Sequence, residues 1–299
     1  MGFAYTAYGM TLCSQLELPE LTAIPELSHK PDVSIILDIV PKHLSGGKQI
    51  SPFVWIGEND FLLEVPNIGR FRVMGANKII VDPSRDIDEA SIRVFLLGSA
   101  LGALLIQRNL LVLHGNAVEI DNRCLVCVGS SGIGKSTLTA AFMQRGYHVL
   151  ADDVVPVDEA GFAIPGFPRI KLWQDVAEKL QIDTADLTRI RPKLAKYNLP
   201  LGSTFCDEPR PISLICVLSE YEGDDIVLTP VTGMEKFSLL KANTYRQRFM
   251  SGMSLQPIHL RQCGALASKV RIARVQRPRA GFQLDALVYR LLDEMQEQY

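Results

Sequence analysis

Gly-Ser-Ser-Gly-Ile-Gly-Lys-Ser, residues 129–136, completes the G-x-x-x-x-G-K-[ST] pattern of a phosphate-binding loop. Glycines in this pattern let the backbone turn tightly, so that successive N–H groups point at phosphate oxygens. Lys135 would place its cation on the β- and γ-phosphates, and the Ser136 hydroxyl would ligate Mg²⁺. The residues predicted to bind the nucleotide are Gly129, Ser130, Ser131, Gly132, Ile133, Gly134, Lys135, Ser136 and Thr137.

The flanks of the loop have the pattern that a phosphate site requires. Residues 125–128 form a short apolar run that is typical of a buried strand. Residues 137–144 are predicted to be helical, with Arg145 in the last turn and Gly146 as the cap beyond it. A helix in this place directs its positive N-terminal end at the same anion. A chance match in a Gly/Ser-rich turn is therefore disfavoured.

Two adjacent carboxylates follow the helix. Residues 147–151 form a second apolar run, which ends at Asp152 and Asp153. The interval suits one β-α-β crossover, whose parallel strand would deliver both acids beside the γ-phosphate. One carboxylate could hold Mg²⁺ while the other accepts the proton of an acceptor hydroxyl, so the pair favours a kinase over a simple ATPase. The alternative, that one aspartate merely ends the strand, is disfavoured for the pair.

A hairpin is predicted immediately before the loop. Residues 111–120 and 123–128 flank Asp121-Asn122, a pair of residues that tolerates positive φ. His114 would then lie near the nucleotide end of the sheet. A lone histidine in an apolar run is more often structural than catalytic, so this pattern alone favours a structural role for His114.

These segments resemble, in order and spacing, the catalytic core of HPr kinase/phosphorylase. The resemblance is carried by His114-Gly115, the 129–136 loop and the stretch from Arg145 to Asp153. It implies an α/β fold with a phosphoenolpyruvate-carboxykinase-like P-loop core, and a serine kinase that uses ATP and Mg²⁺. The implied catalytic residues are Asp152, Asp153, His114 and Lys135, with magnesium on Ser136 and one aspartate. The two aspartates can be assigned in two ways, and we take Asp152 as the base and Asp153 as the metal ligand.

The resemblance is strongest over residues 111–157. The R-G-x-G and R-P-G-R-N-like segments of HPr kinases are absent from the sequence. In its layout, including residues 166–173, the chain is similar to the HPr-kinase-like tailoring kinases of lasso-peptide biosynthesis. That similarity implies, as acceptor, the C-terminal serine of a precursor peptide. HPr itself and a sugar or nucleoside remain the alternative acceptors.

The sequence predicts three parts: a β-rich N-terminal domain over residues 1–85, a connecting helix over 86–110 and the catalytic domain over 111–299. The N-terminal part holds short runs of alternating or β-branched residues. Its predicted strands are 33–40, 53–56, 61–65, 71–74 and 78–81. Later strands are predicted at 212–218 and 226–228, and later helices at 235–241 and 284–298.

Basic residues elsewhere admit two interpretations. Arg169 and Lys171 alternate along an apolar segment, so they would share one face and could clamp a phosphate or an acceptor carboxylate. A solvated edge strand is the equally weighted alternative. Solvated surfaces are predicted for two further groups, the helix-like stretch with Arg189, Arg191, Lys193 and Lys196 and the later cluster of Lys269, Arg271, Arg274, Arg277 and Arg279.

Composition predicts a cytoplasmic enzyme without nucleic-acid or membrane partners. The chain has 299 residues, 21% charged residues and a formal net charge of −2. Its six cysteines show no secreted disulfide pattern, and Cys124 and Cys127 are predicted to pack on opposite faces of a strand. The apolar stretch 94–106 is shorter than a membrane span, and Gly98-x-x-x-Gly102 indicates close packing against another element. A homo-oligomer is left open.

Three other classes of protein share the loop. A small-molecule kinase would act on free metabolites, and a nucleotide-sensing module would bind without transfer. A switch ATPase or GTPase is disfavoured, because no N-K-x-D motif follows the loop.

Overall fold

The computed structural model describes residues 2–279, 281 and 283–297. Within these residues the protein has a mixed α/β architecture with two nine-stranded sheets and a separate two-stranded antiparallel sheet. The first sheet comes from the N-terminal part of the chain. The second contains the strands on either side of the glycine-rich loop. A helical segment joins the two.

The first sheet has the strand order β3-β1-β2-β4-β9-β8-β7-β6-β5. Its strands are β1 Phe3–Ala7, β2 Met10–Ser14, β3 Thr22–Ala23, β4 Val33–Leu37, β5 Lys48–Ser51, β6 Val54–Gly57, β7 Asp60–Val65, β8 Gly69–Met74 and β9 Lys78–Pro83. The five strands predicted between residues 33 and 81 are confirmed, with shifted ends. The β1–β2 hairpin was not predicted. It turns at Tyr8-Gly9, where both residues have positive φ (55° and 67°).

The connecting segment is helical from residue 89 to residue 107, close to the predicted 86–110. It consists of α1 Glu89–Phe95, one π-helical turn at Leu96–Ala100 and α2 Leu101–Gln107. The segment begins at Asp88, whose carboxylate accepts a hydrogen bond from the Ser91 N–H at 2.7 Å. By length and mean hydropathy (1.7) it could cross a membrane, but 72% of it is buried inside the protein. That burial is typical of a core helix.

The predicted close packing at Gly98 and Gly102 is confirmed, and the partner is Tyr245. A Cβ atom on Gly102 would lie 2.6 Å from Tyr245 Cε1, and one on Gly98 would lie 3.7 Å from its hydroxyl oxygen. Gly102 therefore leaves space that the Tyr245 ring occupies, whereas a Cβ on Gly98 would make only an ordinary van der Waals contact with it.

The remaining strands are β10 Leu111–Leu113, β11 Gly115–Ile120, β12 Arg123–Val128, β13 His148–Ala151, β14 Val155–Val157, β15 Phe162–Ala163, β16 Arg169–Trp173, β17 Lys196–Pro200, β18 Arg210–Tyr221, β19 Val227–Val231 and β20 Arg271–Pro278. The helices are α3 Lys135–Gln144, α4 Gln174–Lys179, α5 Met234–Ala242, α6 Arg248–Gly252, α7 Gln256–Lys269 and α8 Leu284–Gln296. The predicted end of α8 at Gln298 lies outside the described residues.

The second sheet brings the loop and the acid pair to the same end of its strands, because the loop follows β12 and the acids follow β13. Its order is β10-β14-β15-β18-β12-β11-β13, with β20 beside β18 and β19 beside β20. The predicted β11–β12 hairpin is confirmed, with Asp121 and Asn122 at φ 52° and 58°. Strand β13 pairs antiparallel with β11. Since β12 is also antiparallel to β11, β12 and β13 run in the same direction with β11 between them. The crossover therefore skips one strand.

The hydrophobic clusters show where the side chains of Cys124 and Cys127 are buried and how the two sheets pack together. Cys124 and Cys127 of β12 lie in different hydrophobic clusters, on opposite faces of the sheet, as predicted. The core of the first sheet includes the connecting segment and extends to Tyr245 and Phe249. The same cluster contains Val112 of β10, so the second sheet contributes to this core. The division into domains at residues 85 and 110 remains a proposal.

The predicted helix-like stretch around residues 189–196 is wrong. The segment is irregular up to Lys196, which begins strand β17 opposite Trp173 of β16. The conformation of Lys196 is decided by strand pairing with β16, which comes earlier in the chain. The local pattern of basic residues could not predict that pairing.

Candidate active site

The glycine-rich loop joins β12 to α3 through three left-handed residues. Gly129, Gly132 and Gly134 have φ of 143°, 85° and 101°. At Gly129 a Cβ atom would lie 2.7 Å from the carbonyl oxygen of Leu218 in the neighbouring strand β18. Only glycine fits this position, because the turn is left-handed and also packed against backbone. Gly134 immediately precedes α3, so the loop ends on the helix N-terminus.

The Lys135 side chain folds back into the loop. Its Nζ donates to the carbonyl oxygens of Gly129 (2.9 Å) and Ser130 (3.1 Å), and the residue is 8% exposed. Burial lowers the pKa of Lys135, while the charges of Asp153 and Asp152 act to raise it. A cation therefore lies inside the loop, close to both acids, where phosphate oxygens can replace the carbonyl partners.

Asp152 is held by three donors. Its Oδ1 accepts from the Ser136 hydroxyl at 3.0 Å and from Asn116 Nδ2 at 2.7 Å. Its Oδ2 accepts from the backbone N–H of Lys171 at 2.8 Å. The acid that adjoins the serine hydroxyl of the loop is therefore Asp152. The assignment made from the sequence had Ser136 share the metal with Asp153 instead.

Asn116 was missed by the sequence reasoning. It is 1% exposed, and its Nδ2 also donates to the Thr139 hydroxyl at 2.9 Å. That hydroxyl donates in turn to the Lys135 carbonyl oxygen at 3.0 Å. A hydroxyl that already donates must accept from Asn116, which fixes the orientation of the amide. Asn116 lies two residues after His114, and this alternation was the available signal.

Asp153 points to different partners from those of Asp152. Its backbone is left-handed (φ 75°), and its Oδ2 accepts from Lys171 Nζ at 2.8 Å. His114 Nδ1 lies 3.3 Å from Oδ1 and 3.1 Å from the Asp153 carbonyl oxygen. Burial raises the pKa of Asp153, but Lys171 and His114 outweigh it and hold the pKa well below the ordinary aspartate value.

Basic side chains of strands β16 and β17 lie near the acid pair. Burial lowers the pKa of Lys196, and the charge of Asp152 opposes that effect. Its Nζ lies 5.1 Å from the centroid of the Trp173 ring. The Lys171 side chain is 13% exposed and Arg169 is 5% exposed. The solvated edge strand that was one alternative for Arg169 and Lys171 does not describe these side chains.

Two cavities flank the loop. One, of about 520 Å³, is lined by His114, Gly129, Ser130, Asp153 and residues 242–246. The other, of about 300 Å³, lies at the helix end of the loop and includes Gly132, Gly134, Thr137 and Arg277. Asp153 opens into the first cavity, so a hydroxyl bound there would meet this carboxylate.

Arg277 belongs to this site and not to a solvated face as predicted. Its Nη2 donates to the Ile133 carbonyl oxygen at 3.2 Å, and it forms an ion pair with Glu220. A cation therefore lies at the end of the loop opposite the acid pair.

The donor set fits one magnesium ion that also binds phosphate. Among the described residues, no group of three or more His, Cys, Asp or Glu side chains could hold a metal alone. Mg²⁺ in nucleotide enzymes is bound through one or two protein oxygens together with substrate phosphates and waters. The Ser136 hydroxyl and the Asp152 carboxylate, 3.0 Å apart, supply such a pair.

Comparison with known proteins links part of the chain to one kinase. It is 40% identical over 62 residues to "HPr kinase/phosphorylase" of Lactobacillus acidophilus. The matched stretch is 21% of this chain and 19% of that protein, so the chain spans about a fifth of the length of this curated relative. No family model matches the chain.

Among solved structures, the HPr(Ser) kinase/phosphatase from Coxiella burnetii is similar over 61% of this chain and 93% of that chain. The sequence identity is 13% and the TM-score is 0.29. A TM-score of this size does not show that the two overall folds are the same.

Proposed function

We propose that the protein is an ATP- and Mg²⁺-dependent kinase that transfers the γ-phosphate to a serine hydroxyl of a peptide or protein. The observation that best supports this proposal is the proximity of the loop and the acid pair. The Ser136 hydroxyl lies 3.0 Å from the Asp152 carboxylate, and Asp153 lines a cavity beside the loop. The 62-residue similarity to HPr kinase/phosphorylase supports a phosphotransferase.

The proposal assigns the metal to Ser136 and Asp152. These two oxygens already adjoin each other, and Asn116 fixes the carboxylate from behind. When bound, Mg²⁺ would neutralise charge on the phosphate oxygens. Lys135 adds a cation from the loop itself. This order is the reverse of the one taken from the sequence.

The proposal assigns the base to Asp153. Its depressed pKa keeps it ionised, and the acceptor proton passes to it as the phosphoryl group moves. His114 Nδ1 lies 3.1 Å from the backbone carbonyl oxygen of Asp153. Because a carbonyl oxygen only accepts hydrogen bonds, Nδ1 must carry the proton that it donates. His114 and Lys171 thus position the carboxylate. They also add donors beside the transferring group.

For the acceptor, the proposal favours the C-terminal serine of a ribosomal, lasso-type precursor peptide. HPr is the second candidate, since that protein appears in the name of the relative. A sugar or nucleoside is the third. The cytoplasmic location and a homo-oligomeric state are parts of the same proposal.

The experiment is intact-mass analysis of acceptors after incubation with ATP and Mg²⁺. The panel contains HPr, a precursor peptide ending in Ser and the same peptide ending in Ala. We expect a gain of one phosphoryl group on the Ser peptide and none on its Ala counterpart. A gain on HPr alone would replace the peptide with HPr as acceptor. ATP consumption without any gain would contradict the peptide kinase and favour a metabolite kinase or a switch ATPase.

A further inference from the structure

One lysine of the candidate active site has no anionic partner. Lys196 begins strand β17 and is partly buried. Among the described residues its Nζ forms no hydrogen bond or ion pair, and it lies over the ring of Trp173, 5.1 Å from the centroid. A lysine ammonium has three donors, so all three donors of Lys196 are available to a ligand.

The register of β16 and β17 places Lys196 on the face that meets the acids. Lys196 pairs with Trp173 and Lys171 pairs with Asn198, so the two lysines are diagonal neighbours on one face of this antiparallel pair. From that face the Lys171 Nζ contacts Asp153 at 2.8 Å. Alternate residues of β16 belong to a hydrophobic cluster on the other face. A diagonal separation of about 7–8 Å lets both lysine side chains reach one small ligand.

The two acids are already engaged by other groups. Asp153 is paired with Lys171 and lies beside His114. Asp152 already accepts three hydrogen bonds. Burial lowers the pKa of Lys196, and the charges of both acids oppose that effect without forming an ion pair with it. The Lys196 ammonium is therefore left for an anion that the described residues do not supply.

Lys196 also acts on the lysine of the glycine-rich loop. Burial lowers the pKa of Lys135, and the positive charge of Lys196 lowers it further, although both acids act in the opposite direction. Two ammonium groups that repel each other in a partly buried site are stabilised by an anion between them. The loop motif assigns Lys135 to the β- and γ-phosphates of a nucleotide. The terminal phosphate is therefore the anion best placed to meet both lysines.

Trp173 holds the Lys196 side chain without using its donors. The ring face attracts a cation through its quadrupole and offers no lone pair in the way that a carboxylate does. The ammonium is thus positioned before a ligand arrives, and all its N–H groups stay available. A long side chain that is already positioned loses less conformational entropy when it binds.

We propose that Lys196 is a further catalytic residue, whose ammonium binds oxygens of the terminal phosphate of the bound nucleoside triphosphate beside Lys135. This inference rests on the kinase function proposed above. In the transfer, the acceptor oxygen bonds to the γ-phosphorus, the bond from that phosphorus to the β–γ bridging oxygen breaks, and the hydroxyl proton passes to Asp153. The nucleoside diphosphate leaves with the electron pair of the broken bond. Lys196 exchanges no proton, and it offsets negative charge on the γ-phosphoryl oxygens.

The test compares the binding of MgADP with that of a hydrolysis-resistant MgATP analogue by calorimetry, because only the analogue carries the terminal phosphate. Lys196→Met removes the ammonium and keeps a long side chain. It should weaken binding of the analogue about tenfold or more and leave MgADP binding within about twofold, as expected for loss of one charge-assisted hydrogen bond. Lys196→Arg keeps the charge and should weaken binding of the analogue less. Lys193→Met, at an exposed lysine of the same segment, is the control and should change neither.

Lysine acetylation followed by peptide mass analysis tests the same contact in the wild-type protein. The MgATP analogue should slow acetylation of Lys196 about tenfold more than MgADP does. Acetylation of Lys193 should be the same with either nucleotide. This measurement needs no variant, so a misfolded Lys196→Met protein does not obscure it. Equal protection of Lys196 by the two nucleotides would overturn the proposal.

Steady-state kinetics separates this inference from the kinase proposal. Lys196→Met should lower kcat as well as the affinity for ATP. Unchanged turnover and unchanged ATP binding would leave the kinase standing and overturn the role of Lys196. A change confined to the KM of the acceptor would also overturn it. Loss of the preference for the MgATP analogue, in a protein that transfers phosphate to no acceptor, would support the contact with the terminal phosphate and contradict the kinase.

Discussion

Ser136 and Asp152 are joined by a hydrogen bond of 3.0 Å, whereas the neighbouring Asp153 bonds to Lys171 at 2.8 Å. Two adjacent carboxylates therefore have separate environments. One faces the loop and its hydroxyl, and the other faces a cavity and two basic groups. Two identical side chains can take different roles in one reaction when their environments differ in this way.

Asn116 is predicted to act through Asp152. Asn116→Ala removes the 2.7 Å hydrogen bond to Oδ1 and leaves the carboxylate free to rotate. Loss of such a supporting contact typically weakens metal binding by about 10–100-fold. The measurement is the Mg²⁺ concentration that half-saturates ATP binding. Thr139→Val should shift it less, because Asn116 then keeps its bond to Asp152. An unchanged Mg²⁺ requirement in Asn116→Ala would contradict the assignment.

Gly102 is predicted to set the position of Tyr245. In Gly102→Ala the new Cβ would lie 2.6 Å from Tyr245 Cε1, whose ring is 5.8 Å from that of His114. Overpacking of this kind costs about 1–3 kcal/mol of unfolding free energy. Turnover should fall as well, since Tyr245 lines the cavity at Asp153. Urea unfolding and steady-state kinetics measure both.

Gly264→Ala is the matched control, because Gly264 also lies in a helix, α7. No described heavy atom lies within 4 Å of a Cβ built there. We expect it to be neutral or to stabilise by up to about 1 kcal/mol through helix propensity. Equal destabilisation by the two substitutions would show that contact with Tyr245 is not the cause.

The ionisation of Asp153 predicts a pH-dependent contribution to stability. Burial raises its pKa, but Lys171 and His114 hold it below the ordinary value. A carboxylate with a depressed folded-state pKa stabilises the fold above its unfolded pKa, about 4, and this is lost as the pH falls further. Asp153→Asn should therefore lower Tm at pH 7, by an amount that shrinks in acid. Thermal scans from pH 7 to pH 3 measure it, and a constant difference would contradict the depressed pKa.

Local patterns were enough to predict the loop, helix α3 and the β11–β12 hairpin. Each depends on glycines, caps and turn residues that are close in sequence, such as Gly134, Gly146 and Asp121-Asn122. The packing of Gly98 and Gly102 could also be predicted, although its partner Tyr245 could not.

The rest depended on contacts between distant parts of the chain. Strand β13 pairs with β11 and not with β12, and no local signal reports that choice. Lys196 was predicted to lie in a solvated basic stretch, but it pairs with Trp173 of β16, its pKa is lowered by burial, and the charge of Asp152 acts on it. The roles of Asp152 and Asp153 could not be ordered from sequence, because the backbone at Asp153 (φ 75°) decides which partner each carboxylate meets.

The most direct test of the roles of Asp152 and Asp153 compares Asp152→Asn with Asp153→Asn. Mg²⁺-dependent ATP binding is measured by calorimetry, and phosphoryl transfer to the responding acceptor by intact mass. If Asp152 binds the metal, Asp152→Asn should raise the Mg²⁺ requirement about tenfold or more. Asp153→Asn should keep that requirement and lose transfer by about 10²–10⁴-fold. The opposite pattern, with the Mg²⁺ requirement raised only in Asp153→Asn, would contradict Asp152 as the metal ligand and Asp153 as the base.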